Sequence, residues 1–287
     1  MIVLNKIAKH FASKEVLKEI TLSIADGEIL GLIGKNGAGK TTLLNILAGL
    51  STATSGTCAF TRNEKVGYLP DVPAFYEYLS VGEYLSFLLA NQNKQTAEST
   101  KSSLLKLSGL AEKQKISSLS RGMRQKLGII SVIAADPDIY LFDEPTSALD
   151  PSGRAELMEI IRHLKDRKKT IILSSHILTD MEKICDSVAF LANGSIKLRQ
   201  PILEQKGAPH HWKVTFASPF DWPETQNEGY TFKKLDDLHV EVSFTEEQAL
   251  IGKQQFFAFL QSIDHEVLTI EPYQVGLDDL FKEVCGA

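Results

Sequence analysis

The octapeptide Gly34-Lys-Asn-Gly-Ala-Gly-Lys-Thr41 constrains this chain more than any other feature. It fills every fixed position of G-x-x-x-x-G-K-[ST], and it stands where that pattern has structural meaning. Glu28-Ile-Leu-Gly-Leu-Ile33 precedes it, short and nearly all apolar, as a strand buried on both faces would be. Thr41–Leu50 follows with helical periodicity. Glycines in such a loop let the backbone close around phosphates with successive N–H groups pointing inward. The helix N-terminus adds about half a positive charge. Gly34, Asn36, Gly37, Ala38, Gly39, Lys40, Thr41 and Thr42 are therefore the expected phosphate-binding residues. Lys40 has the reach for the β- and γ-phosphates, and the Thr41 hydroxyl can ligate Mg²⁺. Alone, the loop predicts only that the chain binds a nucleotide.

A second stretch narrows the chemistry. Ile139-Tyr-Leu-Phe-Asp143 reads as an apolar strand ending in a carboxylate, with Glu144 directly after it. Asp143 at that strand end would hold Mg²⁺ through water. Glu144, one residue nearer the γ-phosphate, suits a general base that orients and deprotonates an attacking water.

The rest of residues 1–200 alternates strands and helices, which predicts an α/β domain with a mostly parallel sheet. Strands are expected at Ile2–Lys9, Val16–Ile24, Thr57–Thr61, Val66–Leu69 and Thr170–Ser174. Ser80-Val-Gly-Glu83 fits a capping box opening a helix to about Asn91. Further helices are expected over Ala97–Ser108, Arg121–Ala135, Pro151–Asp166 and Ile177–Cys185. Asn193-Gly194 signals a hairpin between Val188–Leu191 and Ser195–Leu198. After Gln200 the pattern changes to alternating strands (Trp212–Phe216, Tyr230–Lys234, His239–Phe244, Glu266–Ile270) and helices over Gln255–Ser262 and Leu277–Val284.

Charge breaks at the same place. Residues 1–200 hold 25 Lys and Arg against 21 Asp and Glu, a net of +4. Residues 201–287 hold 6 Lys, no Arg and 15 acids, a net of −9, and both tryptophans, Trp212 and Trp222. The expected organisation is a domain over 1–205, with a helical subdomain at about 72–135, and a small α+β accessory domain over 206–287. The acidic tail argues against nucleic acid as a partner of that part. No apolar run approaches the ~18 residues of a membrane span, and the first residues do not read as a secretory signal. Cys58, Cys185 and Cys285 are far apart and read as reduced thiols.

At this point the chain resembles the ATP-binding cassette (ABC) ATPases, the nucleotide-binding subunits of ABC transporters, over about residues 1–225. Gly34–Thr41 is similar to the family's Walker A motif, and Leu141-Phe-Asp-Glu144 to Walker B with its glutamate. Ser147-Ala-Leu-Asp150 resembles the D-loop, His176 the switch histidine, and Leu119-Ser-Arg-Gly-Met-Arg-Gln125 the signature usually written LSGGQ. The resemblance implies a P-loop NTPase cassette with an N-terminal antiparallel β subdomain. It also implies Mg²⁺-dependent hydrolysis of ATP and a second cassette, identical or homologous, paired head to tail across two ATP sites. Separate transmembrane permease subunits would be the other partners, with this chain at the cytoplasmic face of a bacterial membrane. The motif style resembles the branch that exports drugs, peptides or lipids.

Individual residues carry alternatives. Ser120 and Gly122 open the Arg121 helix and offer a hydroxyl, N–H groups and the positive dipole end to a γ-phosphate from the other subunit. Ser120 also reads as a plain N-cap, the reading it would take without the other motifs. Arg121 stands where the signature usually has its first glycine, either lending charge to the phosphate or facing solvent. Met123 replaces an amide. Asp71, at the usual place of the Q-loop glutamine, is either a metal-side carboxylate or a turn residue after Pro70. His176 reads as a general acid, a linchpin or a phosphate-sensing donor. Asp150 either ties the two ATP sites or starts a helix with Pro151. Phe11 is the A-loop candidate for stacking on adenine or a core residue. Phe75, Tyr76, Tyr78 and Leu79 either receive a partner helix or pack the subdomain's core.

Overall fold

A sheet covered on both faces explains the unbroken apolar runs. The computed structural model describes residues 1–202, 211–219, 229–244, 249–263, 265–272 and 277–285. In it β3 (Ile29–Ile33), β6 (Ile139–Phe142) and β7 (Thr170–Ser175) are buried throughout. With β5 (Val66–Leu69), β8 (Ser187–Ala192) and β9 (Ser195–Pro201) they form a six-stranded sheet ordered β5-β6-β7-β3-β8-β9. All neighbours are parallel except β8 and β9, which the Asn193-Gly194 turn joins as an antiparallel hairpin.

Successive strand residues point to opposite faces, and each face has its own core. Ile29, Ile33, Tyr140, Phe142, Ile171 and Leu173 pack with Leu157 and Ile161 of α5 (Pro151–Asp166) and with Leu178 and Met181 of α6 (Leu178–Ile184). Leu30, Leu32, Leu141 and Ile172 pack with Leu43, Leu44 and Leu47 of α1 (Lys40–Leu47) and with side chains of β1 (Ile2–Phe11) and β2 (Lys14–Ile24). Each such aliphatic side chain contributes about 1.5–3 kcal/mol on burial. The sheet is thus a stiff platform whose strand ends carry the polar residues described below. β1, β2 and β4 (Ser55–Phe60) make a separate antiparallel sheet ordered β2-β1-β4.

The helical subdomain holds α2 (Val81–Leu88), α3 (Lys94–Ser108) and α4 (Arg121–Ala134). Val81, Leu85, Leu104, Ile116, Leu127 and Ile130 form its core. Ser80 and Glu83 make the expected capping box, each side chain bonding the other's backbone N–H. The helix stops at Leu88, short of Asn91. α3 starts three residues earlier than periodicity indicates, because the Asn93 side chain caps it at the Thr96 N–H. The aromatic set divides. Phe75 and Leu79 pack against the subdomain core, and Tyr76 and Tyr78 are exposed.

Backbone contacts divide the chain into two units, residues 1–203 with 277–287, and residues 204–276. The second unit is an antiparallel sheet ordered β11-β12-β10-β13, made of β10 (His211–Phe216), β11 (Tyr230–Lys234), β12 (His239–Phe244) and β13 (Val267–Pro272). α7 (Ala249–Ser262) lays Phe256 against Val214, Val240 and Val242. The boundary expected near 205 and Trp222 lie outside the described residues.

The expected accessory domain over 206–287 needs a correction at its end. α8 (Leu277–Cys285) groups with the first unit, where Leu277, Leu280, Phe281 and Val284 join the core containing Phe190 and Ile184. An apolar helix face does not state in sequence which core it completes. Among the described residues no helix is long and apolar enough to cross a membrane. Cys58 and Cys185 are free thiols.

Candidate active site

The carboxyl ends of β3, β6 and β7 bring the site together. β3 runs into the Gly34–Thr41 loop, and α1 begins at Lys40 with Gly39 as its N-cap. Gly39 has φ +112°, and a Cβ there would stand 2.7 Å from the Leu17 side chain, so glycine alone fits. The first N–H groups of α1 have no partner inside the helix, and they open onto the loop. Lys40 is buried at 6% exposure and crosses its own loop, with Nζ donating to the Gly34 carbonyl at 2.6 Å.

β6 delivers Asp143 and Glu144. Asp143 is 1% exposed, and its Oδ1 accepts from the Ser174 hydroxyl at 2.6 Å. The same Ser174 oxygen accepts from the Glu144 N–H at 2.8 Å. This places Ser174, at the end of β7, as a bridge between the two acids. Asp143 Oδ2 is buried with no hydrogen-bond partner among the described residues. An unpaired carboxylate oxygen in that place is costly unless a cation or its water meets it. The Asp143 carboxylate therefore fits Mg²⁺. No cluster of three or more His, Cys, Asp or Glu with metal-holding geometry exists among the described residues.

Glu144 is the strained residue of the site. Its φ is +48°, a left-handed conformation uncommon for a non-glycine residue and one that clusters at functional sites. The turn carries its carboxylate back toward the phosphate loop. Oε2 lies 2.8 Å from His176 Nδ1. Oε1 lies 3.3 Å from Lys40 Nζ, an ion pair without hydrogen-bond alignment, so that oxygen also has no hydrogen-bond donor among the described residues. His176 itself is 59% exposed and held on its inner side by Glu144. Lys40, Glu144 and His176 are thus joined through one carboxylate.

The remaining expected residues lie at differing places. Asp71 turns one oxygen to the Ser147 hydroxyl at 3.0 Å. Ser120 caps α4 by accepting from the Met123 N–H at 3.3 Å, and Asp150 caps α5 by accepting from the Gly153 N–H at 2.8 Å. Arg121 is exposed. A Cβ on Gly122 would stand 2.9 Å from the Ala148 carbonyl oxygen, so that position takes no side chain. Phe11 is 52% exposed, with Lys9 Nζ 4.9 Å above its ring, which removes the core reading.

Sequence reasoning missed three polar residues. Ser174 and Gln125 are buried, and Gln125 Nε2 donates to the Pro145 carbonyl at 3.3 Å. Tyr68 sits in the field of Asp143 and Asp71. Burial, Asp143 and Asp71 push its phenol up to about 12, so it stays protonated. For Ser174 the available signal was a polar side chain at the carboxyl end of an otherwise apolar strand.

These features match known proteins. The family model described as "ABC transporter" matches residues 17–147. The ABC transporter ATP-binding protein YxlF of Bacillus subtilis is 35% identical over 215 residues, 72% of this chain and 72% of that protein. The chain belongs to the ABC transporter family. Within that family it is an ATP-binding cassette with ATPase activity. The lantibiotic transport ATP-binding protein SrtF of Streptococcus pyogenes is 35% identical over 70% of this chain and 90% of its own. Against three other ATP-binding proteins of the family the match spans 60%, 65% and 63% of their length. Among solved structures, the dimeric ATP-binding cassette MJ0796, in a post-hydrolysis state with ADP and Pi, shares the fold. Its TM-score is 0.65 at 22% identity, over 71% of this chain and all of that one.

Proposed function

We propose that this ABC cassette powers substrate export through separate transmembrane subunits, by ATP-driven pairing of two cassettes at the cytoplasmic face of the membrane. The observation that carries the catalytic part is Glu144, turned back by its positive φ and lying between Lys40 and His176 beside buried Asp143. In this reading Glu144 aligns a water with the γ-phosphorus and takes its proton as the new P–O bond forms and ADP leaves. His176 Nδ1 keeps the carboxylate aimed. Lys40 turns its ammonium to the β- and γ-phosphates. Thr41 and Asp143 hold Mg²⁺, which when bound neutralises developing phosphate charge. Phe11 stacks on the adenine, and Ser120 and Gly122 serve the site of the second cassette.

The likeness to SrtF supports export, and the dimeric fold neighbour supports pairing. Exposed Val72, Tyr76, Tyr78 and Phe87 on the helical subdomain suit a docking helix of the membrane partner. Glu144→Gln tests the reading. The variant is expected to lose at least about 100-fold in turnover, the scale of a general base, and to form a stable pair at saturating Mg-ATP by size exclusion with light scattering. Unchanged turnover, or a variant that stays single, overturns it.

A further inference from the structure

The loop Ser147-Ala-Leu-Asp150 is fastened on several sides. Just before it, Gln125 of α4 donates to the Pro145 carbonyl at 3.3 Å. The Ala148 carbonyl lies so close to Gly122 that a Cβ there would stand 2.9 Å away. Asp150 caps α5 at the Gly153 N–H. Those ties fix the loop to α4 and α5. Ser147 fixes it elsewhere. Its hydroxyl donates to Asp71 Oδ1 at 3.0 Å, across 76 positions of sequence. Asp71 is two residues past β5, on the segment leading into the helical subdomain.

The chemistry of residue 71 suits this contact. A carboxylate only accepts, and Ser147 offers one O–H. A hydrogen bond to an ionised acceptor is roughly twice as strong as a neutral one. One route therefore runs from Asp71 through Ser147 and Ala148 to Gly122, in the first turn of the helix that Ser120 caps.

We propose that Asp71 is a positioning residue rather than a metal ligand. Through Ser147 it holds the 147–150 loop and the Gly122 turn in place for a second copy of this chain. The proposal rests on the reading of the site as one half of an ATP-driven pair.

The test uses the full chain carrying Glu144→Gln. Asp71→Ala, Asp71→Asn, Ser147→Ala and the Asp71→Ala/Ser147→Ala double variant are compared in it. Light scattering gives the Mg-ATP concentration that pairs half the chains. Calorimetry at a dilution where the chain is single gives ATP affinity and the Mg²⁺ requirement. Either alanine substitution is expected to weaken pairing about tenfold, the scale of one lost charge-assisted hydrogen bond, and the double variant no further. Asp71→Asn, whose carbonyl still accepts from Ser147, is expected to keep most of the pairing. ATP affinity and Mg²⁺ requirement of the single chain stay unmoved. Losses that multiply to about 100-fold in the double variant overturn the proposal. So does a raised Mg²⁺ requirement in both Asp71 variants but not in Ser147→Ala, which returns Asp71 to the cation. A Glu144→Gln parent that stays single at saturating Mg-ATP is a different result, because it sinks the pairing itself and the proposal with it.

Discussion

At the scale of single residues, the site depends on atoms whose partners are few. Ser174 is the clearest case. It is fully buried, and its one oxygen serves both the Asp143 carboxylate and the Glu144 N–H. Removing it leaves the buried Asp143 Oδ1 without its donor and the part-buried Glu144 N–H without its acceptor, and a buried unpaired group costs about 1–3 kcal/mol. Ser174→Ala is expected to destabilise the protein by about 2 kcal/mol by chemical denaturation. It is also expected to lower turnover more than ATP affinity, because the lost bond fixes the residue that carries the base rather than the phosphate loop. Calorimetric ATP affinity falling in step with turnover would speak against that assignment. The same scale shows why some residues were legible and others not. Lys40, Asp143 and Glu144 stand in fixed motif spacings, and spacing is readable. Ser174 has no spacing of its own, and its role exists only because β6 and β7 lie side by side.

At the scale of elements, strands and helix starts were legible where a local cause sets them. β5 and β6 follow the apolar runs to the residue, and Ser80 and Pro151 open α2 and α5 where cap chemistry places them. Ends without such a cause drifted, as at Leu88. The α2 cap yields a prediction with a defined pH direction. Hydrogen bonds from the Ser80 backbone and side chain, with Lys115 nearby, hold the Glu83 carboxyl below the ordinary glutamate range. A depressed carboxyl contributes stability above its unfolded pKa and loses that contribution as pH falls through the folded value. Ser80→Ala is expected to cost about 1 kcal/mol near neutral pH. It should also remove part of the acid-side fall, so wild type and variant melting temperatures converge as pH drops below the glutamate range. Parallel curves across that range would show that Glu83 owes nothing to the Ser80 hydroxyl.

At the scale of the molecule, the chain leaves the cassette after residue 203 and rejoins it at 277. The break in charge and pattern near residue 200 was visible in sequence. The return was not, because α8 looks like any amphipathic end. Its docking has identifiable contacts. The Leu277 N–H donates to Glu182 Oε1 at 2.7 Å, and Leu277 is 5% exposed. The Phe281 ring lies 6.5 Å from that of Phe190, a fully buried residue of β8. Glu182 belongs to α6, which starts two residues after His176 and has no side-chain N-cap. Packing against α8 therefore helps to seat the helix that follows His176. Phe281 is only partly buried, so Phe281→Ala falls below the 3–5 kcal/mol of a fully buried phenylalanine, at about 2 kcal/mol. The loss should appear in the cassette rather than in residues 204–276. Hydrogen exchange is the discriminating measurement, with faster exchange expected in α6 and β8 and unchanged exchange in β10, β11 and β12. The reverse pattern would assign the last helix to the acidic unit after all.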